Sequence, residues 1–163
     1  MADVVVLPGA LAASTEPVLA LGTLFTYDHP TYGWQQYRYI YNDEASTAFA
    51  AGDVVVQDIA GGTNAYDGLL PAAAAPAVKV LGIAQAACAA GSYIGVLING
   101  KGLARAGDNA ADQSGDPLVT GGATTPSGVD VMGAGAEAEV IAYGLQNAAA
   151  TTGVTFLVSV RVP

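Results

Sequence analysis

Positive charge is what this chain has least of. Arg38, Lys79, Lys101, Arg105 and Arg161 are its only lysines and arginines, against 14 aspartates and glutamates and a net charge of −9. Binding to a nucleic-acid backbone needs clustered cations that neutralise phosphates. No such cluster exists in the sequence. An acidic surface is also repelled by DNA and by anionic lipid. Neither nucleic acid nor membrane is expected as a partner.

Cysteine and histidine are each present once, as Cys88 and His29. A single cysteine forms no intrachain disulfide, and a thiol nucleophile or metal ligand needs partners this composition does not offer. Cys88 reads as a small packing residue. His29 sits in an Asp28-His29-Pro30 turn beside Tyr27 and Tyr32. Neighbours on an extended chain point to opposite sides, so Asp28 and His29 make no dyad. The chain also lacks a Gly-x-Ser-x-Gly elbow and a Gly-Lys-Ser/Thr phosphate loop. Gly133-Ala134-Gly135-Ala136 has no third glycine. No catalytic, cofactor-binding or metal residue is therefore expected, and no enzyme.

Long hydrophobic runs are missing too. Val4-Val5-Val6-Leu7 is short, ends at Pro8 and has no preceding lysine or arginine. That is not a signal peptide. The Ala-rich stretch from Pro71 to Gly91 is interrupted by Lys79 and by proline, so it is no membrane span. Its four alanines between Pro71 and Pro76 are too few to nucleate a helix. A soluble chain with no export route of its own is expected.

Two groups of carboxylates invite a chemical reading. Asp108, Asp112 and Asp116 lie four apart beside Asn109. Hard cations take clustered loop carboxylates, but the spacing is not that of an EF-hand, and Asp116 already opens a turn. Glu137 and Glu139 fall on one strand face. Paired carboxylates cleave glycosidic bonds, yet no aromatic residues surround these two. They read as a solvated face.

What the chain does have is β pattern and punctuation. Residues 22–27 read as a strand, 28–33 as a turn, and Trp34 to Tyr41 as the strongest strand of all. Alternation puts Trp34, Gln36, Arg38 and Ile40 on one face and Gln35, Tyr37, Tyr39 and Tyr41 on the other. Tyrosine, tryptophan and arginine anchor interfaces. This strand is either a binding surface or a core strand with one tyrosine face. Further strands are expected at 51–59, 78–85, 93–98, 139–145 and 154–162, with loops between. Asn99-Gly100 marks either a hairpin or a bulge in a continuing strand.

The chain also echoes itself. Ala51-Gly52-Asp53-Val54-Val55-Val56 is answered by Ser114-Gly115-Asp116-Pro117-Leu118-Val119, and Gly82 to Gly91 by Gly144 to Gly153. Segments 51–100 and 114–162 thus read as a weak internal repeat, each a Gly-Asp turn, a strand, a variable stretch and two more strands. The expected fold is all-β: a small β-sandwich or barrel of antiparallel strands with long Gly/Ala-rich loops. Residues 22–163 form its single domain. Residues 1–21 form an extended N-terminal arm, whose Val4 to Leu7 strand packs on its own domain or on a neighbour's sheet edge.

Gly52-Asp53-Val54-Val55-Val56, Val80-Leu81-Gly82-Ile83-Ala84 with Ala86 to Gly91, and Ile94 to Gly100 carry a resemblance. Gly115-Asp116-Pro117-Leu118-Val119, Tyr143-Gly144-Leu145 and the closing hydrophobic strand repeat it. The sequence resembles bacteriophage capsid decoration (cement) proteins over residues 50–162. The loops at 60–75 and 107–136 depart from the compact members. The resemblance implies a structural protein on the outer surface of a virion, made in the bacterial cytoplasm. It implies the major capsid protein and further copies of itself, as a homotrimer, as partners. Val4, Val5, Val6, Leu7, Trp34, Tyr37 and Tyr39 are the candidate capsid or subunit interface. Two other readings stay open. One is a different virion component, such as a head-fibre, tail or host-adhesion protein. The other is a carbohydrate-binding domain centred on Trp34, Tyr37 and Tyr39.

Overall fold

Ten strands and one short 3-10 turn account for the regular structure of the described residues. The structure, a computed structural model, describes residues 8–71, 79–107, 115–120, 127–131, 140–146 and 154–162. The fold is all-β. Val4 to Leu7, Asp108, Asp112, Glu137, Glu139 and the turn at Gly153 lie outside the described residues.

The chain enters through the turn Pro8–Ala10 and then lies against its own sheet. Ala10 is fully buried, Leu11, Leu19 and Leu21 pack on the core, and Ser14 exchanges two backbone hydrogen bonds with Tyr93. Residues 8–21 of the stretch read as an arm are therefore anchored on the domain. β1 (Leu24–His29) and β2 (Gly33–Asn42) follow as an antiparallel hairpin.

The remaining strands are β3 (Val54–Gln57), β4 (Asp67–Leu69), β5 (Val80–Ala84), β6 (Tyr93–Arg105), β7 (Pro117–Thr120), β8 (Val129–Val131), β9 (Ala142–Gly144) and β10 (Thr155–Arg161). Their pairing closes a ring. β2 pairs with β4, β4 with β3, β3 with β5, β5 with β6, and β6 returns to β2. All these contacts are antiparallel except β2–β4, a short parallel one at Tyr41–Asp67 and Asn42–Gly68.

A second ring repeats the first one strand set later. β6 pairs with β10, β10 with β9, β9 with β7, and β7 with β8. β8 returns to the end of β6 through a parallel bridge between Ala106 and Val129. The starts of the repeated strands agree with the sequence echo: 54, 67, 80 and 93 in the first set, and 117, 129, 142 and 155 in the second. Gly52 and Gly115, which open the two Gly-Asp turns, both have the left-handed φ that a Cβ disfavours, 92° and 99°. The described strands within 51–100 and 114–162 therefore share one pairing order, and β6 is common to both rings.

A bulge lets β6 serve twice. Gln36 pairs with Asn99 but Tyr37 with Leu97, so Ile98 is an extra residue. The strand continues past Asn99-Gly100, which settles the choice between hairpin and bulge. Ile94 and Val96 face into the first ring with Ile40, Phe49, Val55, Leu81 and Cys88. Beyond the bulge, Ala104 faces the other core with Leu118, Ala142, Phe156 and Val158.

Two strands have no sequence signal. β4 lies in the stretch read as a loop at 60–75, and β8 in the one at 107–136. Both are three residues long and are held by their neighbours rather than by propensity.

Candidate docking face and acidic cleft

The alternation in β2 decides which candidate residues meet solvent. Gln35, Tyr37 and Tyr39 are buried, while Trp34 is 54% exposed. Tyr37 donates its hydroxyl to Gln35 Oε1 at 2.9 Å and stacks on Phe25 at 5.4 Å between ring centroids. Burial raises its hydroxyl pKa. Tyr39 accepts the Val18 N–H at 3.1 Å and stacks on Tyr93, and burial raises its pKa as well. Of the three aromatic candidates, Tyr37 and Tyr39 are core residues and Trp34 alone is presented outward. Val4 to Leu7 fall outside the described residues.

Strand register extends the Trp34 side into a broad surface. Trp34 lies opposite Asp28, Gln36 lies between Thr26 and Asn99, and Asn99 is opposite Arg161. Lys101 is opposite Ser159, which is opposite Tyr143. Paired residues share a face, and alternate residues of one strand do too. One side of β1, β2, β6, β10 and β9 therefore carries Leu24, Trp34, Gln36, Asn99, Lys101, Arg161 and Tyr143. Leu24 is 52% and Tyr143 43% exposed.

That side also gathers cations that are scattered in sequence. Arg38, Lys101, Arg105 and Arg161 all fall on it by register, four of the five in the chain. Two are engaged internally: Arg38 donates to the Leu81 carbonyl at 3.2 Å, and Arg105 pairs with buried Asp53 at 3.0 Å. Lys101 and Arg161 are exposed and have no carboxylate partner among the described residues. Asp28 is the one described carboxylate that register places on this face. Nothing in local spacing marks this surface, because Lys101 and Arg161 meet only through β6–β10 pairing.

A second feature lies at the other end of β2. Leu21, Tyr41, Asp43, Gly61, Thr63, Asn64, Asp67 and Tyr93 line a cleft of about 210 Å³. Asp67 is buried and accepts the Asn64 N–H at 2.8 Å. Asp58, beside it, accepts from the Ala60 and Gly61 N–H groups at 2.8 and 2.9 Å, and those bonds hold its pKa below the ordinary value. The Asp43 carboxyl is raised, chiefly by burial, then by the charges of Asp67 and Asp58 and by its hydrogen bond to Asp58. Asp43 thus holds a proton more tightly than usual, and Asp58 less. No lysine or arginine lines the cleft. Among the described residues no group of three His, Cys, Asp or Glu side chains is placed to hold a metal ion.

The raised Asp43 yields a pH prediction with a definite sign. A carboxyl whose folded pKa is raised costs stability when ionised, and the cost fades as pH falls through the folded pKa. Asp43→Asn removes the charge and keeps a donor toward Asp58. The variant is expected to melt above the parent at neutral pH and level with it below the ordinary carboxylate range. Thermal melts across that range check this. A variant that melts below the parent at neutral pH contradicts it.

His29 serves its turn, accepting the Thr31 and Tyr32 N–H groups at Nδ1 and stacking on Tyr32. Cys88 is buried in the first ring, and burial pushes its thiol up to about 11. A thiol so placed stays protonated at neutral pH. Among the described residues no helix is long and apolar enough to cross a membrane. No family model, curated protein or solved structure matches this chain.

Proposed function

We propose that this chain is a non-catalytic coat module, a decoration or cement protein on the outside of a bacteriophage capsid. The observation that carries the reading is the exposed sheet face with Trp34, Leu24, Tyr143, Lys101 and Arg161. Aromatic and cationic anchors on a broad sheet surface suit protein docking. Five strands at about 4.8 Å spacing make that surface roughly 19 Å wide. Its partners in this reading are the major capsid protein and neighbouring copies of the chain. Val4 to Leu7, which lie outside the described residues, remain candidate contacts to one of them in this reading. Many copies per shell turn modest contacts into firm attachment.

Co-pelleting with undecorated heads tests the reading. The wild-type chain is expected to reach saturating occupancy over the whole shell. Trp34→Ser, an exposed position, is expected to lose about tenfold in affinity while keeping its fold, the effect of deleting an interface anchor. A chain lacking residues 2–7 is expected to bind more weakly. A wild-type chain that leaves heads bare contradicts the proposal. Density confined to the tail or to single vertices favours a tail, fibre or adhesion role instead.

The glycan-binding reading keeps one observation in its favour: Trp34 is flanked on its face by the amides of Gln36 and Asn99. A glycan array that lights up with wild type and not with Trp34→Ser, alongside bare heads, selects it.

A further inference from the structure

The cationic face and the acidic cleft are complementary in charge, and a single copy cannot bring them together. Trp34 and Tyr41 stand seven residues apart on β2, about 24 Å along an extended strand. They also point to opposite sides of it, because Tyr41 follows the alternation of Tyr37 and Tyr39 and is paired with Tyr93. Lys101 and Arg161 project from one side of the molecule, unpaired with any described carboxylate. Asp43 and Asp67 sit in a cleft with no lysine or arginine in its lining.

We propose that the Trp34–Lys101–Arg161 face of one copy docks on the Asp43–Asp67 cleft of a second copy. This deepens the reading of that face as a coat interface, and it rests on it. The occupant is a second copy because the chain itself supplies both halves of the match. Apart from Asp28 the described face is free of carboxylates, while the chain as a whole carries a net charge of −9. The cleft suits an ammonium or guanidinium head. Its carboxylates accept charge-assisted hydrogen bonds. Tyr41 and Tyr93, 5.0 Å apart and tilted by 47°, offer ring faces to a cation. Two different patches in contact make a heterologous interface, which closes into a ring or extends as an array. A coat over a shell uses either. The contact is electrostatic and solvent-accessible, so added salt weakens it.

The test is self-association without any capsid, read by sedimentation velocity at low and high salt. Two double variants change only exposed positions: Lys101→Glu with Arg161→Glu on the face, and Thr63→Lys with Asn64→Lys at the cleft. Circular dichroism and melting temperature confirm that each is folded. Wild type is expected to self-associate at low salt and dissociate as salt is added. Each variant alone is expected to be at least about tenfold weaker, a loss of about 1.4 kcal/mol. An equimolar mixture of the two is expected to associate again, because each reversed patch then meets its complement. A wild type that stays monomeric at every soluble concentration overturns the inference. So does a variant that associates like wild type, or a mixture that stays monomeric. Head binding is scored separately by pelleting. Bound heads with a monomeric chain reject this inference and leave the coat reading standing; bare heads with an associating chain do the reverse.

Discussion

Gly100→Ala is expected to destabilise the chain by about 3–5 kcal/mol, combining backbone strain with overpacking. In a domain of this size that lowers the melting temperature by roughly 10 °C or more. Gly100 has φ +113°, where a Cβ is strained whatever space surrounds it. A Cβ there meets the Trp34 carbonyl oxygen at 2.7 Å and the Gln35 Cα at 3.1 Å. Both are backbone atoms of the paired strand and cannot swing aside. The residue sits just past the Ile98 bulge, where β6 passes from β2 to β10. Relieving the clash means parting β2 from β6 at the point that sets Trp34 on the face. Urea unfolding measures the loss, and a change under about 1 kcal/mol, the ordinary size for a point variant, contradicts this account of the bulge.

Asp53→Ala is expected to cost about 2–4 kcal/mol, the range for losing charged hydrogen bonds from a buried position. Asp53 is 1% exposed and does two jobs. One carboxylate oxygen accepts the Ala50 N–H at 2.7 Å and closes the Gly-Asp turn; the other pairs with Arg105 at 3.0 Å and ties that turn to β6. Alanine leaves the Ala50 donor unsatisfied. The Arg105 side chain, 36% exposed, turns to water more cheaply. Asp53→Asn keeps an acceptor for the turn and is expected to cost less than Asp53→Ala. A double-mutant cycle with Arg105→Ala separates the two roles. Coupling below about 1 kcal/mol is expected, as for a partly exposed pair. Equal loss in the Asn and Ala variants contradicts the division.

Much of the fold is legible in the sequence because it is local. Trp34 to Tyr41 alternates cleanly, and β2 runs through it with the two faces separated as the pattern requires. The Gly-Asp turns and the 62- to 63-residue echo mark strands that recur in the same pairing order. Which face of β2 is buried was not legible, because both faces carry large apolar groups. Phe25, Tyr93 and residues 10–21 cover the tyrosine side and so make Tyr37 and Tyr39 core. Asp67-Gly68-Leu69 reads as loop in any composition count. It becomes a strand only because Tyr41 and Asn42 lie on one side of it and Val56 and Gln57 on the other. The Trp34 face was illegible for the same reason. Lys101 and Arg161 become neighbours through register, and Asp43, Asp58 and Asp67 gather only when the first ring closes.

The most direct test of the proposed coat function is a cryo-electron microscopy reconstruction of undecorated phage heads after incubation with the chain. The predicted result is added density over the entire outer shell into which the ten-stranded fold fits, with the Trp34 face turned to the shell or to the next copy. Bare heads, or density restricted to a single vertex or the tail, would contradict it.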